Sequence, residues 1–89
     1  MDENEEIKKL KGEGYSEISA WDEDPDEEDP EHRHDFDTCI IMLKGEMELR
    51  VNGKENFLKA GDRIVVPRHT NHSYKVGKNG CRYIVAERY

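Results

Sequence analysis

Residues 45–62, GEMELRVNGKENFLKAGD, decide the fold of this chain. Apolar and polar side chains alternate over 46–51, which is the pattern of a β-strand with one buried face. The apolar positions are Met47, Leu49 and Val51. Asn52-Gly53 follows, and this dipeptide is the strongest short hairpin signal because both central residues of a type I′ turn need a positive φ. The stretch therefore predicts an antiparallel hairpin with a two-residue turn.

The hairpin also predicts two charge pairs on its polar face. Folding back about the turn sets Arg50 opposite Glu55 and Glu46 opposite Lys59. Cross-strand pairs of opposite charge stabilise a sheet. Phe57 breaks the alternation of the returning strand, which would fit a bulge at that position.

Short strand candidates continue on both sides of the hairpin. They are bounded by turn residues such as Pro67 and by the glycines of 77–80. The candidates are residues 36–43, 63–66, 72–76 and 81–87. Strands at this even spacing, without a helical period between them, predict an all-β sandwich or closed barrel. We therefore expect no helix within 39–66.

The N-terminal part of the chain has a different pattern. Residues 3–11 favour a short amphipathic helix, and Gly12 and Gly14 are the residue type expected after a helix end. A strand of mixed quality follows it. We therefore expect a helical segment over 1–14 and a single barrel domain over 15–89.

The acidic residues are concentrated in the first 35 positions, which hold 15 of the 21. Residues 22–31 contain two prolines and many carboxylates, and this composition indicates a solvated loop. The formal net charge of the whole chain is -7. Because phosphate binding needs clustered Lys and Arg, we expect no nucleic acid among the partners.

The remaining composition favours a cytoplasmic protein. The first ten residues are acidic, no apolar leader follows them, and no run approaches the ~20 apolar residues of a membrane span, so no membrane partner is expected. Cys39 and Cys81 do not form a CxxC pair. Two free thiols are expected in a cytoplasmic protein. A disulfide between them is the alternative if their strands are neighbours.

Two histidine-containing motifs flank the hairpin. The first consists of His32, His34, Thr38 and Gly45. It resembles the first motif of the cupin superfamily, which is His-x-His, three or four residues, Glu, six residues and Gly. Thr38 occupies the position of the motif's Glu, so this chain departs from the pattern at a residue that carries a carboxylate in the family.

The second motif consists of Gly61, Pro67, His69 and His72. It resembles the second cupin motif, in which a Gly is followed after five residues by Pro-x-Gly and two residues later by His. His69 stands where that motif has its second Gly. The two motifs occur in the expected order with a hairpin between them, and the resemblance covers about residues 30–77.

The resemblance implies a fold, a site and a cofactor. A cupin is an all-β protein, a double-stranded β-helix or jelly-roll barrel, here with a short N-terminal helix. In cupins the two histidines of the first motif, its Glu and the histidine of the second motif bind one metal. His32, His34 and His72 occupy the positions of the family's histidine ligands. No glutamate occupies the position of the fourth ligand. The implied cofactor is a divalent metal ion, namely Fe, Mn, Ni or Zn.

The chemistry of these side chains also favours a metal site. His32 and His34 are two positions apart, which puts both on one face of an extended strand. Imidazole is a good ligand for Zn, Ni, Cu and Fe(II), and three histidines with an open fourth position are typical of a catalytic metal site. We therefore expect their side-chain nitrogens and those of His72 to lie within about 3–4.5 Å of each other. Neutral histidines without metal, or histidines on the surface, are the alternative.

Four further residues are candidates for the wall of this pocket. Asp37 would reach inward only if its strand begins irregularly. His69 suits a turn at the rim, because His tolerates a positive φ. Tyr74 follows His72 by two positions and should share its face. The candidates are Thr38, His69, Tyr74 and Asp37.

These observations leave three functions open. The first is a small cupin that binds a divalent metal and a small-molecule ligand. The second is a metal-dependent cupin enzyme, a dioxygenase, isomerase or lyase, whose catalytic residues the sequence does not assign. The third is a metal-free ligand sensor or a dimerising structural domain.

We also expect a homodimer, because a chain of 89 residues gains stability by burying an apolar surface against a second copy. Residues 1–21 are the expected contributor to that interface. Ile7, Leu10, Ile18 and Trp21 have few neighbours in sequence to pack against. Within a single chain, Trp21 is most simply explained as core or pocket wall.

Overall fold

The computed structural model describes residues 2–89, which form one short helix followed by six β-strands. The elements are α1 (Glu3–Gly12), β1 (Ile18–Glu23), β2 (Glu28–His32), β3 (Asp37–Val51), β4 (Lys54–Lys59), β5 (Arg63–Val66) and β6 (His72–Arg88). The predicted all-β fold with a short N-terminal helix is confirmed. No helix within the described residues is long and apolar enough to cross a membrane.

The long strands β3 and β6 form the spine of a single antiparallel sheet. The first half of β3 pairs with the last half of β6, and the remaining halves pair with each other, with register shifts between Met42 and Met47. β1 and β5 flank one end of this spine, and β2 and β4 flank the other. Residues from both ends pack in one core, so the sheet curls around an apolar interior.

The hairpin between β3 and β4 has the predicted turn and register. Asn52 has φ 51° and Gly53 has φ 82°, as a type I′ turn requires. Arg50 lies opposite Glu55, and its Nη2 donates to the Glu55 Oε1 at 2.6 Å. Glu46 and Lys59 are also register partners.

A bulge at Phe57 does not occur. The β3–β4 register runs without interruption past this residue, which lies opposite Glu48 and is 73% exposed. Asn56 takes the inward position instead, and its Nδ2 donates to the carbonyl oxygens of Leu49 and Lys54. Because those bonds satisfy its amide, a polar residue is tolerated at the inner position and the apolar ring faces solvent.

The sheet has an apolar cluster on each face. The interior cluster is Ile40, Met42, Met47, Leu49, Leu58, Val66, Val76, Cys81 and Tyr83. The opposite face of the sheet is covered by α1. The cluster between this face and α1 consists of Leu10, Tyr15, Cys39, Ile41, Ile84 and Ala86. α1 is capped at its start by Asp2, whose carboxylate accepts from the backbone N–H of Asn4 and Glu5.

Two expectations about the N-terminal part need correction. Leu10 is fully buried, and Ile7 and Ile18 pack against the α1-covered cluster, so their partners lie within the same chain. Trp21 is 53% exposed rather than in the core, with its Nε1 donating to the Ser19 hydroxyl. Ile7, Leu10 and Ile18 therefore need no second copy to cover them, and the homodimer itself stays a prediction.

The acidic stretch 22–31 is only partly a loop. β1 continues to Glu23, and residues 28–32 form β2, which pairs antiparallel with β6. Main-chain pairing at a sheet edge requires no apolar side chain, so the side chains remain mostly solvated while the backbone is in a strand.

The two cysteines are free and buried. Cys39 belongs to the cluster under α1, whereas Cys81 belongs to the interior cluster. Although their strands are neighbours, the side chains lie on opposite faces of the sheet, so the disulfide left open by the sequence does not form. Burial raises the pKa of both thiols, that of Cys81 to about 11.

Candidate functional site

Three histidines meet at one end of the spine. His32 ends β2, His72 begins β6, and the two are register partners. His34 lies beyond the end of β2, so its approach depends on the following loop and not on the two-residue period of a strand. The loop is held by the backbone N–H of His69, which donates to the carbonyl of His34 at 2.8 Å.

The imidazoles of this cluster are close to one another. One ring nitrogen from each histidine lies within 4.8 Å of the others, slightly beyond the upper limit expected from the sequence. The ring centroids are separated by 4.3 Å (His32 and His72), 4.8 Å (His32 and His34) and 5.3 Å (His34 and His72). His72 is buried, while the other two are half-buried.

Two of the rings are oriented by backbone carbonyls. The Nδ1 of His32 lies 2.7 Å from the carbonyl oxygen of Pro30, and the Nδ1 of His72 lies 2.9 Å from that of Thr70. A carbonyl oxygen only accepts, so each Nδ1 carries the proton and donates it. The Nε2 lone pairs are therefore left for a ligand, which is the usual arrangement of metal-binding histidines.

His34 is oriented by an aromatic neighbour instead. Its ring stacks on Phe36 at 4.6 Å with an angle of 12° between planes, and Phe36 in turn contacts Tyr89 at 5.0 Å. Burial, with the nearby rings of His32 and His72, lowers the pKa of His34, and Glu87 and Asp29 oppose that shift. The shift favours the neutral imidazole, which is the form that binds metals.

Thr38 lies on the interior face of β3 and is 6% exposed. Its Oγ1 is buried and has no hydrogen-bond partner among residues 2–89. A buried hydroxyl without a partner is unfavourable, so the Thr38 Oγ1 is available to donate to a ligand in the interior. This is the residue at which the sequence replaces the carboxylate of the cupin motif.

Asp37 and His69 do not join the cluster. Asp37 accepts from the backbone N–H and Nε of Arg68 and from Arg88, and these bonds, the backbone one foremost, lower the pKa of its carboxyl. His69 adopts the left-handed conformation, with φ 62°, and its Nδ1 lies 3.3 Å from Asp35. It is exposed, as a turn residue would be, and contributes to the site through its backbone.

Tyr74 faces the interior and shares a carboxylate with a second tyrosine. Its hydroxyl lies 3.5 Å from the Glu23 Oε1, and the hydroxyl of Tyr83 donates to the same oxygen at 3.2 Å. Burial raises the pKa of both tyrosines, so both are protonated donors at neutral pH. Asp29 and Tyr74 line an open groove of about 510 Å³. Among the described residues, none of the three histidines lines that groove.

Several residues of this region could not be expected from the sequence. Phe36, Tyr89, Glu87, Glu23 and Tyr83 were not predicted to lie near the site. The one available local signal was Phe36, which follows His34 by two positions as an aromatic residue. The others are brought near by pairing between distant strands, which a local pattern does not reveal.

Comparison with known proteins agrees with this geometry. A family model described as the cupin domain matches residues 21–87, which include both histidine motifs and the hairpin between them. The chain belongs to the cupin domain family. The jelly-roll prediction is thereby confirmed together with the family resemblance. None of the curated proteins matches this cupin at a significant level.

Solved structures of other proteins have the same fold. A predicted oxalate decarboxylase from Thermotoga maritima has 20% identity and a TM-score of 0.76, with 91% of this chain and 72% of that chain covered. The polyketide cyclase RemF from Streptomyces resistomycificus has 26% identity and a TM-score of 0.70, with 81% and 54% covered. KdgF from Halomonas sp. has 20% identity and a TM-score of 0.71, with 81% and 67% covered. The cupin described here thus spans about half to three quarters of these chains.

Proposed function

We propose that this cupin binds a divalent metal ion through His32, His34 and His72, together with a small-molecule ligand. The observation that carries the proposal is the orientation of His32 and His72, whose Nδ1 protons are donated to backbone carbonyls, so that the Nε2 lone pairs remain for a ligand. A histidine cluster with no role in binding would not need this arrangement, which fixes both tautomer and ring orientation.

The donor set fits Fe, Mn, Ni or Zn. Bonds of ~2.0–2.1 Å to a shared ion bring imidazole nitrogens to about 3–3.4 Å of each other. The ring nitrogens lie within 4.8 Å of one another, so binding a shared ion requires a small inward shift of the rings. The stacked ring of His34 has no hydrogen bond of its own among the described residues, so it is the one free to move. The Thr38 Oγ1, which is buried and unpartnered among the described residues, adds a polar donor to the interior.

Different residues of the chain would have different roles at such a site. A bound divalent ion polarises an oxygen of a substrate or lowers the pKa of a bound water. Phe36 covers one face of the His34 ring, and Tyr89 packs against Phe36. Tyr74 and Tyr83 offer hydroxyls for orienting a polar ligand in the interior, held in place by Glu23.

A metal-dependent enzyme is the second candidate. Two structures of the same fold are described as a predicted oxalate decarboxylase and a polyketide cyclase. Three histidines with open coordination positions would suit a dioxygenase, isomerase or lyase. The site offers no acid–base pair that selects among these reactions, so binding of a metal and a small molecule is the function that the geometry supports best.

Elemental analysis of protein purified without a His tag tests the proposal. We expect about one divalent ion per chain, because three converging imidazoles form one site. Stoichiometric Fe or Mn would favour the enzyme, whereas Zn or Ni would fit binding or hydrolytic chemistry. Metal-free protein that also fails to take up added ions would overturn the proposal and favour the sensor or the structural domain.

We further propose that the chain acts as a cytoplasmic homodimer without nucleic-acid or membrane partners. Free cysteines are typical of a reducing compartment. Exposed apolar side chains that a second copy could cover are Trp21, Phe57, Val65 and Tyr89. Light scattering at high micromolar concentration is expected to give twice the monomer mass of 10.4 kDa, and a monomeric mass would refute the dimer.

A further inference from the structure

One ligand position of the cupin motif has no carboxylate in this chain. Thr38 has replaced the carboxylate, and its buried hydroxyl has no partner among the described residues. A threonine side chain is about two bonds shorter than that of glutamate, so it reaches less far into the interior. A longer neighbouring side chain with a carboxylate would satisfy both the hydroxyl and a metal ion.

Glu87 is the residue placed to do so. It is the register partner of Thr38 across the β3–β6 pairing. The next two pairs along the same face, Ile40 with Val85 and Met42 with Tyr83, all lie in or against the interior cluster. Because side chains alternate along a strand, Glu87 shares the interior face with these residues. Directly opposite residues have Cβ atoms about 4.5–5.5 Å apart.

The carboxylate of Glu87 is linked to the histidine cluster through two aromatic rings. Its Oε1 accepts the hydroxyl of Tyr89, and the Tyr89 ring contacts Phe36 at 5.0 Å. Phe36 in turn stacks on His34. Tyr89 is the one side-chain partner of Glu87 among the described residues, and a single bond to an exposed terminal tyrosine is easily exchanged.

We propose that Glu87 supplies the fourth protein ligand of the metal site, in place of the carboxylate that Thr38 cannot provide. The inference rests on the proposed function. In the metal-bound protein one Glu87 oxygen binds the ion and the other accepts the hydroxyl of Thr38, which removes the unsatisfied buried group. The ligand set is then three imidazoles and one carboxylate, as in the family, but with the carboxylate contributed by β6 instead of β3.

Asp29 is the rival carboxylate. Its Oδ2 lies 3.6 Å from the His32 Nε2, yet its side chain is 39% exposed and lines the open groove of about 510 Å³. From there it is surrounded by solvent as well as by the ring of His32. Glu87 faces the interior beside an unsatisfied buried donor, which makes it the better ligand.

The experiment measures Mn(II) dissociation constants from the electron paramagnetic resonance signal of free Mn(II). Glu87→Gln is compared with Glu55→Gln, which removes the same charge from an exposed ion pair on the hairpin, and with Asp29→Asn. We expect Glu87→Gln to weaken Mn(II) binding at least about tenfold, and the other two to change it less than about threefold. Zn(II) binding should fall less, because Zn(II) accepts imidazole more readily and Mn(II) prefers carboxylate.

Two further variants keep the test decisive if Glu87→Gln folds poorly. Glu87→Asp retains the charge but shortens the reach by one methylene, so Mn(II) binding should again fall. Thr38→Glu introduced with Glu87→Gln should restore it, because the carboxylate returns from the facing strand. Melting temperatures in chelator show that the variants are folded.

The outcomes separate this inference from the proposed function. Equal Mn(II) affinities of Glu87→Gln and Glu55→Gln, with binding still abolished in His72→Ala, would overturn the role of Glu87 and leave the histidine site intact. A larger loss in Asp29→Asn than in Glu87→Gln would assign the carboxylate to Asp29 and also overturn it. Wild-type protein that binds no metal, or binds it as well as His72→Ala does, would overturn both proposals.

Discussion

His72→Ala is expected to abolish the rise in melting temperature that Zn(II), Ni(II) or Fe(II) gives the wild-type protein. An ion that binds only the folded site, at a concentration 100 times its dissociation constant, stabilises a protein by about 2.7 kcal/mol. For a domain of this size that corresponds to a shift of about 10–20 °C. His72 is the buried ligand, and its Nδ1 is fixed by the Thr70 carbonyl. Its removal leaves two half-buried histidines, which bind an ion weakly.

His69→Ala is the matched control for this experiment. It removes an imidazole three residues away that points to Asp35 and solvent, while the backbone N–H that holds the His34 carbonyl is kept. Most of the metal-induced shift should therefore remain. Equal shifts in the wild type and in His72→Ala would show that the metal binds elsewhere, for example at the acidic stretch 22–31.

The metal-induced shift should also depend on pH. Protons compete with the ion for imidazole nitrogens, so affinity is full above the ordinary histidine pKa of about 6.5 and falls as pH decreases below it. Burial lowers the pKa of His34, so this ligand stays neutral to a lower pH than a free histidine does.

Gly45→Ala is expected to prevent stable folding. Gly45 has φ 73°, and a Cβ on it would lie 2.0 Å from the carbonyl oxygen of Gly80 and 2.9 Å from the Cys81 Cα. These are backbone atoms of the paired strand β6, which no side-chain rotation can move aside. The spine would have to separate at the junction of its two halves. A domain has a total free energy of unfolding of only about 5–15 kcal/mol, so chemical denaturation should show little or no folded protein.

Gly53→Ala separates the clash from the backbone strain. Gly53 has φ 82°, but a Cβ there would meet nothing within 4 Å. The variant should lose only the cost of the left-handed conformation, about 1–2 kcal/mol. If Gly45→Ala were destabilised by no more than Gly53→Ala, the close approach of β3 and β6 at this point would be wrong.

The local elements of the fold could be read from the sequence. The hairpin turn and its charge pairs follow from alternation and from the need for positive φ at Asn52 and Gly53, which neighbours in sequence decide. The helix likewise follows from its own residues and its cap at Asp2. Phe57 shows the limit: whether a ring or an amide faces inward depends on the hydrogen bonds available to Asn56 in the folded sheet.

The sequence also determined which histidines to consider, because their spacing matches two motifs of one family. Only the tertiary structure decided how they meet. His34 reaches the cluster through a loop tied to the backbone of His69, and Asp37 is held away from it by Arg68. Glu87 lies 49 positions from Thr38 in sequence and faces it only through the register of β3 against β6. That register is set by the curled apolar core as a whole, so no local pattern could place a carboxylate opposite the residue that lacks one.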